Sequence, residues 1–224
     1  QSKRNRFFNE SNDNIQPNFA KSYFVFFSNS DDEAVGFWDS WTEPFMSQID
    51  LIKNLQKYFE EKKKEHLYVR IHPNLVNKSI IEQAKWDELK SGHYSTIYGA
   101  KSNVSSYDLL RGAKGVISYG STIGLEAAFH QIPSAILADC WYDELGVADK
   151  LSDLPSIHNW IENIDQVLRE SILAERKRNS LYRGLWLELS GTAFEHSVLK
   201  ELTWGSWEAE QFCQTPLLRS RIHK

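Results

Sequence analysis

Gly115-Val116-Ile117-Ser118-Tyr119-Gly120-Ser121-Thr122-Ile123-Gly124-Leu125-Glu126-Ala127-Ala128 is the stretch that decides the fold. Its first five residues read as a buried strand, Gly120 permits a tight turn, and the chain then reads as a helix from about Ile123 to His130. A strand that turns directly into a helix is half of a βαβ unit. The same alternation recurs on both sides of it.

Upstream, Tyr23-Phe24-Val25-Phe26-Phe27 is continuous and aromatic, as strands buried on both faces tend to be. An amphipathic helix follows from about Phe45 to Lys64, with Ile49, Ile52, Leu55, Tyr58 and Phe59 at helical spacing. Leu67-Tyr68-Val69-Arg70-Ile71 reads as the next strand, halted at His72-Pro73-Asn74. A helix around residues 80–90, a short strand at 95–98 and a helix at 105–111 lead back to the opening stretch. Downstream, Pro133-Ser134-Ala135-Ile136-Leu137 is one more strand, followed by helical pattern at 157–173 and roughly 176–189, then a Trp-rich tail.

Strands alternating with helices over short connections predict an α/β fold: a Rossmann-like parallel sheet with helices on both faces, plus a C-terminal helical extension. The expected organisation is a polar arm at residues 1–20, a nucleotide-binding domain at 21–175 and a helical, Trp-rich extension at 176–224. With 224 residues and 41% hydrophobic composition, the chain has material for one good core. A net charge of −4 argues against a protein that coats nucleic acid. Basic clusters at Lys3-Arg4-Asn5-Arg6 and Arg219-Ser220-Arg221 leave peripheral contact with an anionic membrane open, beside the plain reading of solvated termini. Cys140 and Cys213 form no metal motif and suggest no disulfide framework, which fits a reducing cytoplasm. No apolar run is long enough to span a bilayer. The chain begins at Gln1, and is expected to be an excised or trimmed piece.

In a parallel sheet of this kind ligands bind beyond the carboxyl ends of the strands. Three strand ends carry unusual residues. At the first, Ser118, Gly120, Ser121 and Thr122 bring hydroxyls and a sharp turn to the start of a helix, where unpaired N–H groups favour an anion. Glu126, one turn on among Leu125, Ala127 and Ala128, is placed to accept ribose hydroxyls. Plain N-capping by Ser121 or Thr122 is the competing reading. At the second, Pro73 fixes the backbone so that His72 projects at the sheet edge, able to donate to a phosphate oxygen. The third, Ser28-Asn29-Ser30-Asp31-Asp32-Glu33, is placed for a sugar contact from Ser28, with a solvated turn as the alternative. Its acidic run lacks the ligand set of a metal site, and no metal is expected. Tyr107, at the head of the helix before the anion-site strand, is a candidate for a nucleobase contact, with capping by Ser105 or Ser106 as the bland account.

The succession Arg70-Ile71-His72-Pro73-Asn74, Ser106-Tyr107-Asp108-Leu109-Leu110 and Gly115 through Ala127 resembles the C-terminal, donor-binding domain of the GT-B glycosyltransferases that build bacterial capsule and lipopolysaccharide. That group is similar to bacterial sialyltransferases, Kdo transferases and polysialyltransferases, which pair a His-Pro motif with a Ser/Thr motif on the donor phosphate. The resemblance covers about residues 22–140. It implies metal-independent transfer from a CMP- or UDP-linked sugar to an oligosaccharide or lipid-linked acceptor. His72, Ser121 and Thr122 would meet the phosphate and Glu126 the ribose, with no cofactor besides the donor. A GT-B enzyme also needs a second Rossmann-like domain, which residues 1–20 cannot supply, so a separate N-terminal domain or partner chain is expected. Two other enzymes share the His-Pro logic: a sugar-nucleotide epimerase of the UDP-N-acetylglucosamine 2-epimerase type and a polyol-phosphate transferase. A non-catalytic module that docks through the Trp-rich tail is the alternative from another class.

Overall fold

The structure is a computed structural model that describes residues 19–30, 45–167 and 169–190. The chain divides into two units, Gln1–Gly184 and Leu185–Lys224, and the candidate site lies in the first. Among the described residues, six parallel strands form one sheet: β1 (Tyr23–Phe27), β2 (His66–Arg70), β3 (Ser95–Tyr98), β4 (Gly115–Ser118), β5 (Ser134–Ile136) and β6 (Asp149–Lys150). Their spatial order is β3-β2-β1-β4-β5-β6. The order reverses direction between β1 and β4, so the carboxyl ends of β1, β2 and β4 open the crevice where such sheets bind ligands.

The aromatic strand β1 lies at the centre because every side chain on it is buried, whichever way it points. Phe24 and Phe26 face helix α1 (Gln48–Lys62), whose Leu51, Ile52, Leu55 and Phe59 close one core together with Trp86 of α2 (Ile80–Asp87) and Ile157 and Trp160 of α5 (Leu154–Glu162). Tyr23, Val25 and Phe27 point the other way, onto Leu109 and Leu110 of α3 (Ser106–Arg111) and Ile123 and Ala127 of α4 (Ile123–Phe129). Two-residue alternation along one strand thus divides the molecule into two cores, with helices on both faces of the sheet. Each large apolar side chain so buried contributes about 1.5–3 kcal/mol.

Local chemistry fixes the helix ends. The Ser47 hydroxyl accepts the Asp50 N–H at the start of α1, and Lys63 closes that helix in the left-handed region at φ 52°. Asp153 and Ser156 form a reciprocal capping box at the start of α5. The expected helix over 157–173 is in fact interrupted. α5 ends at Glu162, where the Asn163 side chain and N–H both turn back to the Asn159 carbonyl, and α6 (Ile164–Val167) and α7 (Glu170–Ser190) follow. α7 therefore begins six residues before the expected Arg176. Strand β6 carries only Asp149 and Lys150, which offer no apolar run to read. No helix of the described residues is long and apolar enough to cross a membrane.

Candidate functional site

Two backbone features shape the crevice. Gly120 ends β4 in a left-handed conformation at φ 87°, and a Cβ there would lie 2.7 Å from the Cβ of Cys140. The chain can therefore turn sharply into α4 only with glycine at this point. From below, the buried Tyr142 hydroxyl donates to the Ser121 carbonyl at 2.6 Å and fixes that turn. On the β2 side, the Ser28 hydroxyl accepts the backbone N–H of His72 at 2.8 Å, which ties the ends of β1 and β2 together.

His72 heads the 3-10 helix Pro73–Asn77, and its Nδ1 accepts the Asn74 N–H at 3.2 Å. An imidazole whose Nδ1 accepts must, when neutral, carry its proton on Nε2. The loop geometry thus selects the tautomer that donates from Nε2.

Between these walls lies an open cleft of about 910 Å³, within the range of small-molecule sites. Ser28, Arg70, His72, Ser121, Thr122, Glu126 and Tyr107 all line it. Thr122 occupies the N-cap position of α4 yet makes no side-chain capping bond; the first turn is closed by backbone bonds to the Ser121 and Thr122 carbonyls. Both hydroxyls remain on the cleft wall without a capping task. Ser105, in contrast, does cap, accepting the Tyr107 N–H at 3.2 Å.

The Tyr107 hydroxyl donates to the carboxylate of Glu126. Burial pushes the Glu126 carboxyl above its ordinary value, and the Tyr107 hydrogen bond pulls it partly back. Burial and then the Glu126 charge push the Tyr107 hydroxyl up to about 12. Glu126 Oε2 is buried and has no hydrogen-bond partner among the described residues. Tyr107 therefore meets the cleft as the partner of Glu126.

Two sequence candidates do not line the cleft. Ser118 is the last residue of β4, and strand alternation turns its side chain under the sheet end, where it is fully buried. Gly120 acts through its backbone. Ser28 does reach the cleft wall, but its oxygen accepts the His72 N–H, so its observed work is to hold His72. The acidic run Asp31-Asp32-Glu33, the first 18 residues and most of the Trp-rich tail lie outside the described residues.

Arg70 was not singled out by sequence reasoning. It is 6% exposed, and its guanidinium donates to the carbonyls of Ile71 and Gly99, both at 2.8 Å, and of Ser102 at 3.3 Å. The signal was present: a lone arginine in the otherwise apolar strand Leu67-Tyr68-Val69-Arg70-Ile71 needs a reason to be buried.

The sequence matches the model of the family described as capsule polysaccharide biosynthesis protein over residues 4–177. A search of curated proteins finds no match. Solved structures share the fold. A putative UDP-N-acetylglucosamine 2-epimerase from Listeria monocytogenes superposes with a TM-score of 0.50 at 11% identity, over 83% of this chain and 50% of that one. A wall teichoic acid polymerase gives 0.46 at 13% identity, over 77% and 45%. The UDP-GlcNAc 2-epimerase from Neisseria meningitidis bound to UDP-GlcNAc gives 0.43 at 12% identity, over 75% and 44%. The chain thus spans about half the length of the structures it resembles, with the Rossmann-like architecture of one GT-B half.

Proposed function

The chain belongs to the capsule polysaccharide biosynthesis protein family, and from that premise we propose that it is the donor-binding half of a GT-B glycosyltransferase. It takes a CMP- or UDP-linked sugar in the cleft and passes that sugar to a growing polysaccharide or lipid-linked acceptor. The observation that carries this reading is the meeting of His72, Ser121, Thr122 and Glu126 around one cleft at the carboxyl edge of a parallel sheet.

In the proposed reaction an acceptor hydroxyl oxygen bonds to the anomeric carbon while the bond from that carbon to the phosphate oxygen breaks. His72 Nε2–H and the Ser121 and Thr122 hydroxyls donate to the departing phosphate, stabilising charge as it develops. Glu126 accepts the ribose hydroxyls. The acceptor site and the base that takes the acceptor proton belong to a second domain or a partner chain, at or near the cytoplasmic face of the membrane.

The epimerase alternative needs carboxylates to move a proton at carbon. Glu126 is the single carboxylate among the described residues that line the cleft, which favours transfer. Calorimetric titration of the chain with CMP, UDP, CDP and GDP, with and without magnesium, tests the proposal. Selective binding that persists without magnesium and that His72→Ala or Ser121→Ala abolishes is the expected result. Binding indifferent to both substitutions would overturn the site. Interconversion of UDP-GlcNAc and its 2-epimer by the intact protein would move it to the epimerases.

A further inference from the structure

We infer that Arg70 is the fixed positive charge by which the cleft prefers a phosphorylated nucleoside to a bare one, and that bound phosphate is the counter-ion this buried guanidinium lacks. The inference rests on the donor-binding reading above and deepens it.

Arg70 is the last residue of β2, buried beside His72 and the Ser28 end of β1. Its Nη atoms hold three carbonyls, of Ile71, Gly99 and Ser102, and its Nε has no partner. Carbonyl dipoles solvate a cation without neutralising it. No carboxylate pairs with Arg70 among the described residues, and burial alone pulls its pKa down. An unneutralised buried charge is costly, so such groups are ordinarily paired. Here the charge stands in the wall of the cleft, which Ser28, His72, Ser102 and Ser121 also line.

The rest of the cleft does not cancel that field. Lys101 on its rim is also a cation, and is exposed to screening by salt. Glu126 on α4 is the one carboxylate lining the cleft among the described residues, against the two cations Arg70 and Lys101. A phosphate therefore gains from Arg70 what an uncharged nucleoside cannot. The planar fork also explains arginine over lysine, because one guanidinium pins the Gly99–Ser102 loop while keeping its charge in place.

The test compares affinities of the full 224-residue chain for uridine, UMP and UDP, and for cytidine and CMP, at one ionic strength. In the wild type the first phosphate is expected to tighten binding by about tenfold or more, the scale of a charge-assisted contact. Arg70→Met should erase most of that step while changing nucleoside affinity by less than about threefold. Arg70→Lys keeps the charge and should keep the step, with a lower melting temperature from the lost carbonyl bonds. Should the Met variant not fold, inorganic pyrophosphate must still raise the melting temperature of the wild type and of Arg70→Lys. An unchanged phosphate step in Arg70→Met, or equal losses for nucleosides and nucleotides, overturns the inference and leaves Arg70 as a loop anchor. Binding of no nucleotide at all overturns the donor reading along with it.

Discussion

The Ser28 hydroxyl accepts the backbone N–H of His72 at 2.8 Å, so the residue proposed to meet phosphate is held by the end of the neighbouring strand and not by its own loop alone. With Ser28 only 2% exposed, removing its oxygen leaves a shielded N–H without an acceptor. Ser28→Ala should cost about 1–3 kcal/mol in urea unfolding. It should also slow sugar transfer in the assembled enzyme more than it weakens donor binding, because it loosens the aim of His72 and not the cleft. A variant with full stability and full turnover would show that the bond aims nothing.

The Tyr107–Glu126 pair makes a pH prediction whose sign is fixed by burial. The Glu126 carboxyl titrates above its ordinary value in the folded chain. Its contribution to the ligand-free fold is therefore fully present at acid pH, below the unfolded value, and is lost as pH rises through the raised folded value. Glu126→Gln should make the ligand-free chain more stable than the wild type near neutral pH, by about 0.5–2 kcal/mol. Nucleotide affinity should fall at the same time. Tyr107→Phe removes the hydrogen bond that lowers the carboxyl, so the pH at which affinity rises should move upward. Thermal melts and calorimetry between pH 4 and 8 on the three proteins check both statements.

The sheet was legible because its strands are short apolar runs with turn residues at each end. Tyr23–Phe27 and Ser95–Tyr98 match the expected limits, and most other elements differ only at their ends. β6 was not legible, since Asp149 and Lys150 pair at an edge where backbone bonding suffices without apolar side chains. Nor was the break at Asn163, which depends on a side chain turning back on its own helix. At the site, His72, Ser121, Thr122 and Glu126 could be placed on one edge because strand ends are visible in sequence. The tasks of Ser28 and Tyr107 could not be read, because each depends on a partner more than ten residues away that only the register brings near.

Gly120 tests the turn itself. At φ 87°, with the Cys140 Cβ 2.7 Å from any added Cβ, Gly120→Ala meets both an unfavourable backbone conformation and a collision with a buried neighbour. A loss of about 1–3 kcal/mol in unfolding free energy is expected from the backbone conformation. Nucleotide affinity should fall with it, since the same turn presents Ser121. Wild-type stability in Gly120→Ala would show that the turn relaxes freely and that glycine is not required there.

Ser121 and Thr122 separate structural from functional hydroxyls within one protein. Ser47, Ser79 and Ser105 each accept a backbone N–H at a helix start, so alanine at any of them should cost about 0.5–2 kcal/mol of stability. Thr122 stands at the N-cap of α4 without such a bond, and the Ser121 and Thr122 carbonyls close the first turn through backbone contacts that substitution leaves in place. Ser121→Ala and Thr122→Val should therefore melt within about 0.5 kcal/mol of the wild type. Their affinity for nucleotide should fall about tenfold each, with nucleoside affinity much less affected, because the hydroxyls face phosphate in the proposed complex. A capping-sized stability loss with unchanged affinity would return both residues to an ordinary helix start, and would leave His72 and Arg70 to hold the phosphate alone.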